Sequence, residues 1–242
     1  MKSAVALAGG PGMDAGHVPE SRFGLWFLAT DTWAVHVLAR CLHDLERLIP
    51  NRRSAYPVVV DVGCGYGRSF RLLKDRFAPQ RLIGIDIEPK ILEAASHQAS
   101  RDGIDVEIMR ASSVKLPLED RSVDLVLCHQ TLHHLVDQEA TLGEIRRILK
   151  PGGLLLVGES TRAYIHSWII RWLFRHPMDV QRTAEQYLAM IRAAGFEIDE
   201  RSISYPYLWW SRKDLGLAER LLGIAPPAVR EETLINLVAV RA

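Results

Sequence analysis

The chain has 242 residues, 48% hydrophobic and 24% charged, and its 30 Lys and Arg against 29 Asp and Glu leave a formal charge of +1. That length and apolar share suffice for one sizeable core and argue against two full domains. The near-neutral balance, with no basic run, gives little support for nucleic-acid binding. Cys41, Cys64 and Cys128 stand far apart, without the paired spacing of a zinc site or a disulfide framework, so no metal set is expected and a reducing, cytoplasmic setting is the simplest reading. The apolar patch from Ala4 to Ala8 is too short for a signal-peptide core, and no run approaches the roughly twenty apolar residues of a spanning helix.

Taken in chain order, residues 1–20 are rich in Gly, Ala and Pro without periodicity and read as a flexible leader, ahead of a single domain over 21–242. From Thr30 to Ile49 the positions Ala34, Val37, Leu38, Cys41, Leu42, Leu45 and Leu48 keep helical spacing until Pro50 stops the run. Short apolar runs then alternate with helical stretches: strand 57–62, helix 67–77, strand 81–85, helix 89–101, strands 105–110 and 123–128, helix 137–149, strand 153–158, helix 183–194. This alternation predicts parallel strands joined by right-handed helical crossovers. Two last strands, near 196–205 and 233–240, lack an obvious crossover helix between them and suit an antiparallel edge pair.

The stretch VVVDVGCGYGRSF, residues 58–70, runs from an apolar strand into three glycines. In an open parallel sheet that place borders the ligand crevice, where glycines let a ligand lie against the main chain at a helix start. A tight turn without a ligand is the alternative for such a loop alone. Asp86, at the end of the next strand in LIGIDIEPK, can accept hydrogen bonds from ribose hydroxyls, which points to a nucleoside-bearing ligand. The register is G-x-G-x-G, with Arg68 where a dinucleotide fingerprint wants a small residue and Asp61 where an anion would be repelled; both disfavour NAD and favour a ligand with a cationic end.

These residues resemble the class I, seven-stranded, Rossmann-like S-adenosylmethionine-dependent methyltransferases. VVVDVGCGYG is similar to that family's first motif, IGIDIEP to its second-strand acid, LPLEDRSVDLVLCHQTLHHL to its fourth-strand region and ILKPGGLLLVGE to its fifth-strand segment, collinear from about residue 56 to 200. The resemblance implies an α/β three-layer sandwich with a mostly parallel sheet and a reversed last strand, a cofactor-binding core over about 56–160, and lid elements near 22–50, 161–180 and 205–230. It also implies that Asp61, Gly63, Cys64 and Gly65 hold the methionine part of the cofactor, that Asp86 takes the ribose hydroxyls, and that Ile87 lies against adenine. Ser112 and Ser113 stand where the family often has an acid that reads the adenine amino group. S-adenosylhomocysteine would be the product.

Methyl transfer from a sulfonium is an in-line displacement that needs alignment in a dry pocket and, for some acceptors, a base. His129 and His133, in CHQTLHH beside the expected cofactor site, are the candidate bases, with His129 also a cofactor neighbour; packing roles remain the alternative for them and for His134. In TRAYIHSWIIRWLFRHP, 161–177, the residues Ile165, Trp168, Ile169, Trp172 and Leu173 share one helical stripe. The segment reads as a core helix, a dimer contact, a membrane-surface helix or a lid. Trp168 and Trp172 there, Tyr207 and Trp209 in YPYLWW, and Trp26 in RFGLWFLATDTW are candidate acceptor-pocket walls. The expected activity is methylation of a small, apolar or aromatic acceptor at O, S, N or C. A non-catalytic cofactor-binding or regulatory subunit, an NAD-dependent oxidoreductase and a nucleic-acid or protein methyltransferase are the other readings, and a homodimer is left open.

Overall fold

In the computed structural model, which describes residues 5–7, 18, 20–212, 216–225 and 229–242, the predicted alternation becomes one sheet with helices on both faces. Its strands are β1 Val5–Leu7, β2 Val58–Val62, β3 Arg81–Asp86, β4 Glu107–Arg110, β5 Val123–His129, β6 Leu149–Ser160, β7 Phe196–Glu197, β8 Ile203–Ser204 and β9 Leu234–Arg241. The order is β1-β4-β3-β2-β5-β6-β9-β7, with β8 also pairing β9. The pairs from β1 to β6 are parallel, and β9 runs antiparallel to β6, β7 and β8. Without its two additions, β1 and β8, this is the expected mostly parallel seven-stranded sheet with a reversed last strand.

Three details of the sheet and its glycine loop differ from the sequence reading. Val5–Leu7, inside the expected leader, pair in parallel with Ile108–Arg110 at the sheet edge; most of the rest of that leader lies outside the described residues. The strand expected over 196–205 divides into β7 and β8, because the Asp199 side chain accepts from Arg201 N and caps a tight turn at Glu200–Ser202. The helix expected from 67 begins at Phe70 instead, because Gly63, Gly65 and Gly67 all take positive φ.

The helices are α1 Arg22–Leu28, α2 Asp31–Trp33, α3 Arg40–Leu48, α4 Phe70–Phe77, α5 Pro89–Asp102, α6 Gln138–Ile148, α7 Arg162–Ile165, α8 Trp168–Leu173, α9 Ala184–Ala193 and α10 Leu217–Leu222. A π-helical stretch, Ala34–Ala39, joins α2 to α3. Local chemistry sets the ends: Pro89 opens α5 and Gly103, left-handed, closes it, while Thr183 and Gln186 cap α9 reciprocally. Alternation along the strands feeds two cores. Val60 and Val62 pack with Leu142, Ile145 and Tyr187 on one face, and Val59 packs with Leu42, Leu45, Phe70 and Leu92 on the other. The strand order reverses between β2 and β5, so the crevice beyond their carboxyl ends is the ligand position this topology provides.

Candidate functional site

At the end of β2 the chain turns through Gly63 (φ 77°) and Gly65 (φ 53°). Gly63 N and Cys64 N donate to Ile85 O at 2.8 and 3.0 Å, which ties the loop to β3. A Cβ at Gly63 would collide with the Thr131 side chain, whereas one at Gly65 would meet no heavy atom within 4 Å; the main chain at Gly65 is a bare cradle facing the cavity. Gly65 N donates to Asp86 Oδ2 at 3.0 Å and Glu88 N to Oδ1 at 3.1 Å. A carboxylate oxygen can accept more than one hydrogen bond, so Asp86 has the chemistry to take a ligand hydroxyl as well.

Asp61 lies beneath this loop, buried, and takes a hydrogen bond from the Ser69 hydroxyl. Burial pushes its carboxyl up to about 7, against the Ser69 bond and aided by the nearby charge of Asp86. It supports the loop from behind and does not line the cavity. Gly63, Cys64, Gly65, Asp86 and Ile87 do line it, as do Ser112 and Ser113. Ser113 Oγ is already shared with Thr141 Oγ1 at 2.9 Å, so Ser112 is the freer of the two hydroxyls. Burial raises the thiols of Cys64 and Cys128 well above the ordinary range, which removes them as nucleophiles.

The same cavity, about 750 Å³, continues to a second group of residues. His129 ends β5, its Nε2 buried without a hydrogen-bond partner and its ring 5.6 Å from Trp33. Burial, then the neighbouring His133, lower its pKa to about 3, so it is neutral at physiological pH. His133 stands on the single turn Leu132–His134, and its Nδ1 is 2.6 Å from Oε2 of the wholly buried Glu159. The other Glu159 oxygen accepts Thr131 N and Leu132 N, both at 2.7 Å. An ionised carboxylate only accepts, so in a neutral imidazole this contact puts the proton on Nδ1 and makes Nε2 the basic nitrogen. Gln181 Nε2 donates to His133 O at 2.8 Å and fixes the turn. His134 and His176 complete a cluster in which one ring nitrogen from each, with one from His133, lie within 4.8 Å of one another, a set with the chemistry to hold a metal ion.

A lid closes the cavity. Ser21 Oγ donates to Leu173 O at 2.6 Å, and Phe174 packs edge-on against Phe23 and Phe27 at 5.4 and 6.0 Å. Ile169, Ile170, Leu173 and Phe174 form its inner apolar wall, with Trp209 beside them. Of the other expected wall residues, Trp26, Trp168 and Trp172 are 61%, 71% and 79% exposed and lie outside the lining. The expected single helix over this segment breaks at Ser167, which is extended (ψ 146°) and begins α8. That break changes the rotational phase, so Ile169, Ile170 and Leu173 turn inward while Trp168 and Trp172 turn out. Tyr207 faces a separate cavity of about 300 Å³ beyond His129, with the Arg230 guanidinium 3.9 Å from its ring centre. Glu159, Gln181 and His176 carry weight that the sequence reading did not assign. The signal for Glu159 was present: an isolated acid at the end of a buried strand bordering the crevice.

An open sheet with a glycine cradle at its order reversal and an acid ending the next strand defines a nucleoside-cofactor α/β domain of the Rossmann-like type. Residues 60–157 match a family described as "Methyltransferase domain". Residues 60–157 therefore carry a methyltransferase domain, of the class I, S-adenosylmethionine-dependent kind. Similar curated proteins include malonyl-[acyl-carrier protein] O-methyltransferase 1 of Coxiella burnetii, 38% identical over 45% of this chain and 36% of that protein. Another is a ubiquinone biosynthesis O-methyltransferase of Cereibacter sphaeroides, 27% identical over 63% of this chain and 66% of that one. The chain thus spans about one third to two thirds of the length of these relatives. A chain from the complex between the Haloferax volcanii Trm112 methyltransferase activator and a candidate methyltransferase shares the fold, with TM-score 0.65 and 23% identity over 90% of this chain and 95% of that chain.

Proposed function

We propose that this protein transfers the methyl group of S-adenosylmethionine to an oxygen of a small, largely apolar acceptor. The observation that carries the reading is the buried Glu159–His133 pair, set in the wall of a largely apolar cavity that also contains the glycine cradle. The cofactor, when bound, supplies a methyl group on a positively charged sulfur. The chain's own contribution is to hold it by Asp86 and the Gly65 main chain, with Ile87 and Ser112 at the adenine end. Glu159 keeps His133 in the tautomer able to take the acceptor's proton at Nε2, and the lid wall of Ile169, Ile170 and Leu173 excludes water.

His129 is a poorer base, because its low proton affinity leaves little driving force at neutral pH; its unpaired Nε2 suits a hydrogen bond to cofactor or acceptor instead. Two relatives named as O-methyltransferases support oxygen as the methylated atom. The test is methyl transfer to phenols, hydroxyquinones and lipophilic acids, followed by mass spectrometry. Turnover by the native chain, slowed about a hundredfold or more in His133→Ala at saturating cofactor, is expected. Cofactor binding without turnover of any acceptor would favour a non-catalytic role, and full activity of the variant would return His133 to a packing role.

A further inference from the structure

The outward turn of the lid tryptophans leaves a surface that the cavity does not explain. Trp26 on α1 and Trp168 and Trp172 on α8 are half of the six tryptophans in the chain, and each is more than 60% exposed. Single exposed apolar side chains are ordinary, but three indoles on one lid are not. Trp168 and Trp172 are one helical turn apart on the same side of α8. The α1 and α8 segments are joined by the Ser21–Leu173 bond and by the Arg175 N–Glu20 carboxylate bond at 3.0 Å.

The charge around these indoles is one-sided. Arg22, Arg171 and Arg175 are exposed on the same two segments, and among the described residues none of them forms an ion pair. Of the acids on the same segments, Glu20 is turned inward toward His134 and Asp31 is held by Arg68. Indoles interleaved with free guanidinium groups match a surface that is apolar within and anionic at its rim, and Trp prefers that boundary. The apolar path is continuous: the exposed Trp26 ring touches Phe23 at 5.5 Å, Phe23 touches Phe174 at 5.4 Å, and both Phe side chains line the acceptor cavity.

We propose that the outer face of α1 and α8 docks on the surface of an anionic lipid bilayer, and that the lid opens there to admit an acceptor dissolved in the membrane. The substrate class is then a lipid-borne hydroxyl compound with an apolar tail. This second clause rests on the proposed oxygen methylation; the docking itself does not. No helix among the described residues is long and apolar enough to cross a membrane, so contact is peripheral, through short helices lying in the interface.

The tag-free full chain is sedimented with vesicles of equal parts phosphatidylcholine and phosphatidylglycerol, and with vesicles of phosphatidylcholine alone. Binding to the first, weaker binding to the second, loss in high salt and a blue shift of tryptophan emission are expected. Trp168→Ser with Trp172→Ser abolishes the blue shift and most of the binding, and Arg171→Glu with Arg175→Glu weakens binding at least about tenfold. Calorimetry with S-adenosylhomocysteine confirms that each variant keeps the folded cofactor site. The proposal is overturned if the native chain stays in the supernatant with anionic vesicles, or if the tryptophan variant binds them equally well. It is also overturned if light scattering shows a dimer that the tryptophan substitutions dissociate while vesicle binding is absent. Vesicle binding together with failure to methylate any hydroxyl acceptor would instead sink the proposed function and leave the docking surface standing.

Discussion

The two ends of the cavity are built differently. At the cofactor end, short-range backbone geometry does most of the positioning: Gly63 and Gly65 set the loop, and Ile85 O and Asp86, at the end of the adjacent strand, anchor it. At the acceptor end, the parts come from distant stretches of chain, with Glu159 on β6, His133 after β5, Gln181 after α8 and the α1 segment at the other extremity of the sequence. The first end is a property of a motif. The second is a property of the packed fold, and for that reason it is where relatives with one cofactor can differ in acceptor.

If that contrast is right, substitution at the two ends should separate stability from binding. The largest effect is expected at the acceptor end. Glu159→Ala strands two main-chain donors and the His133 Nδ1 proton in a buried site, so it should destabilise the fold by about 3 kcal/mol or more and abolish turnover; thermal unfolding reads the first and the methyl-transfer assay the second. An unchanged melting temperature would mean that the acid is not the hub described above. At the cofactor end, Asp86→Ala should weaken S-adenosylmethionine binding by roughly 1–3 kcal/mol with a smaller change in melting temperature, measured by calorimetry and calorimetric unfolding on the same samples. Unaltered affinity would misplace the ribose subsite.

A third effect depends on pH. The Asp61 carboxyl has a folded pKa of about 7 against an ordinary 3.8, so the folded state holds its proton more tightly than the unfolded one. Its buried charge therefore removes stability as pH rises from about 4 to about 7, and nothing further is lost above that. Asp61→Asn, which cannot ionise, should gain on the native chain by roughly 2–4 kcal/mol across that window, seen as a melting-temperature difference that grows between pH 5 and pH 8. A constant difference would contradict the raised pKa. The smallest effect concerns His129: with a pKa near 3, it should add no inflection to the rate profile between pH 5 and 8, and an inflection that disappears in His129→Asn would overturn its assignment as a neutral hydrogen-bonding group.

The same contrast explains what was legible beforehand. Glycine spacing, an acid at a strand end and Pro or Gly helix stops are local signals, so β2 to β6, the loop and Asp86 could be read from the chain directly. The lid could not, because one extended residue, Ser167, breaks the period on which the stripe of Ile165, Trp168 and Trp172 depended. Aromatic composition alone points to Tyr207, and composition does not say which cavity a ring will face. Glu159 was visible as an unexplained acid in an apolar strand, yet its partner is set by strand order, and only the packed sheet brings it to His133.

Cofactor binding is the property on which both ends of the cavity depend. Titration of the purified chain with S-adenosylmethionine and S-adenosylhomocysteine by calorimetry, with NAD as control, should give saturable binding of the first two and none of the third. Binding of NAD alone, or of none of the three, would contradict the assignment of the glycine cradle and Asp86 on which everything at the acceptor end depends.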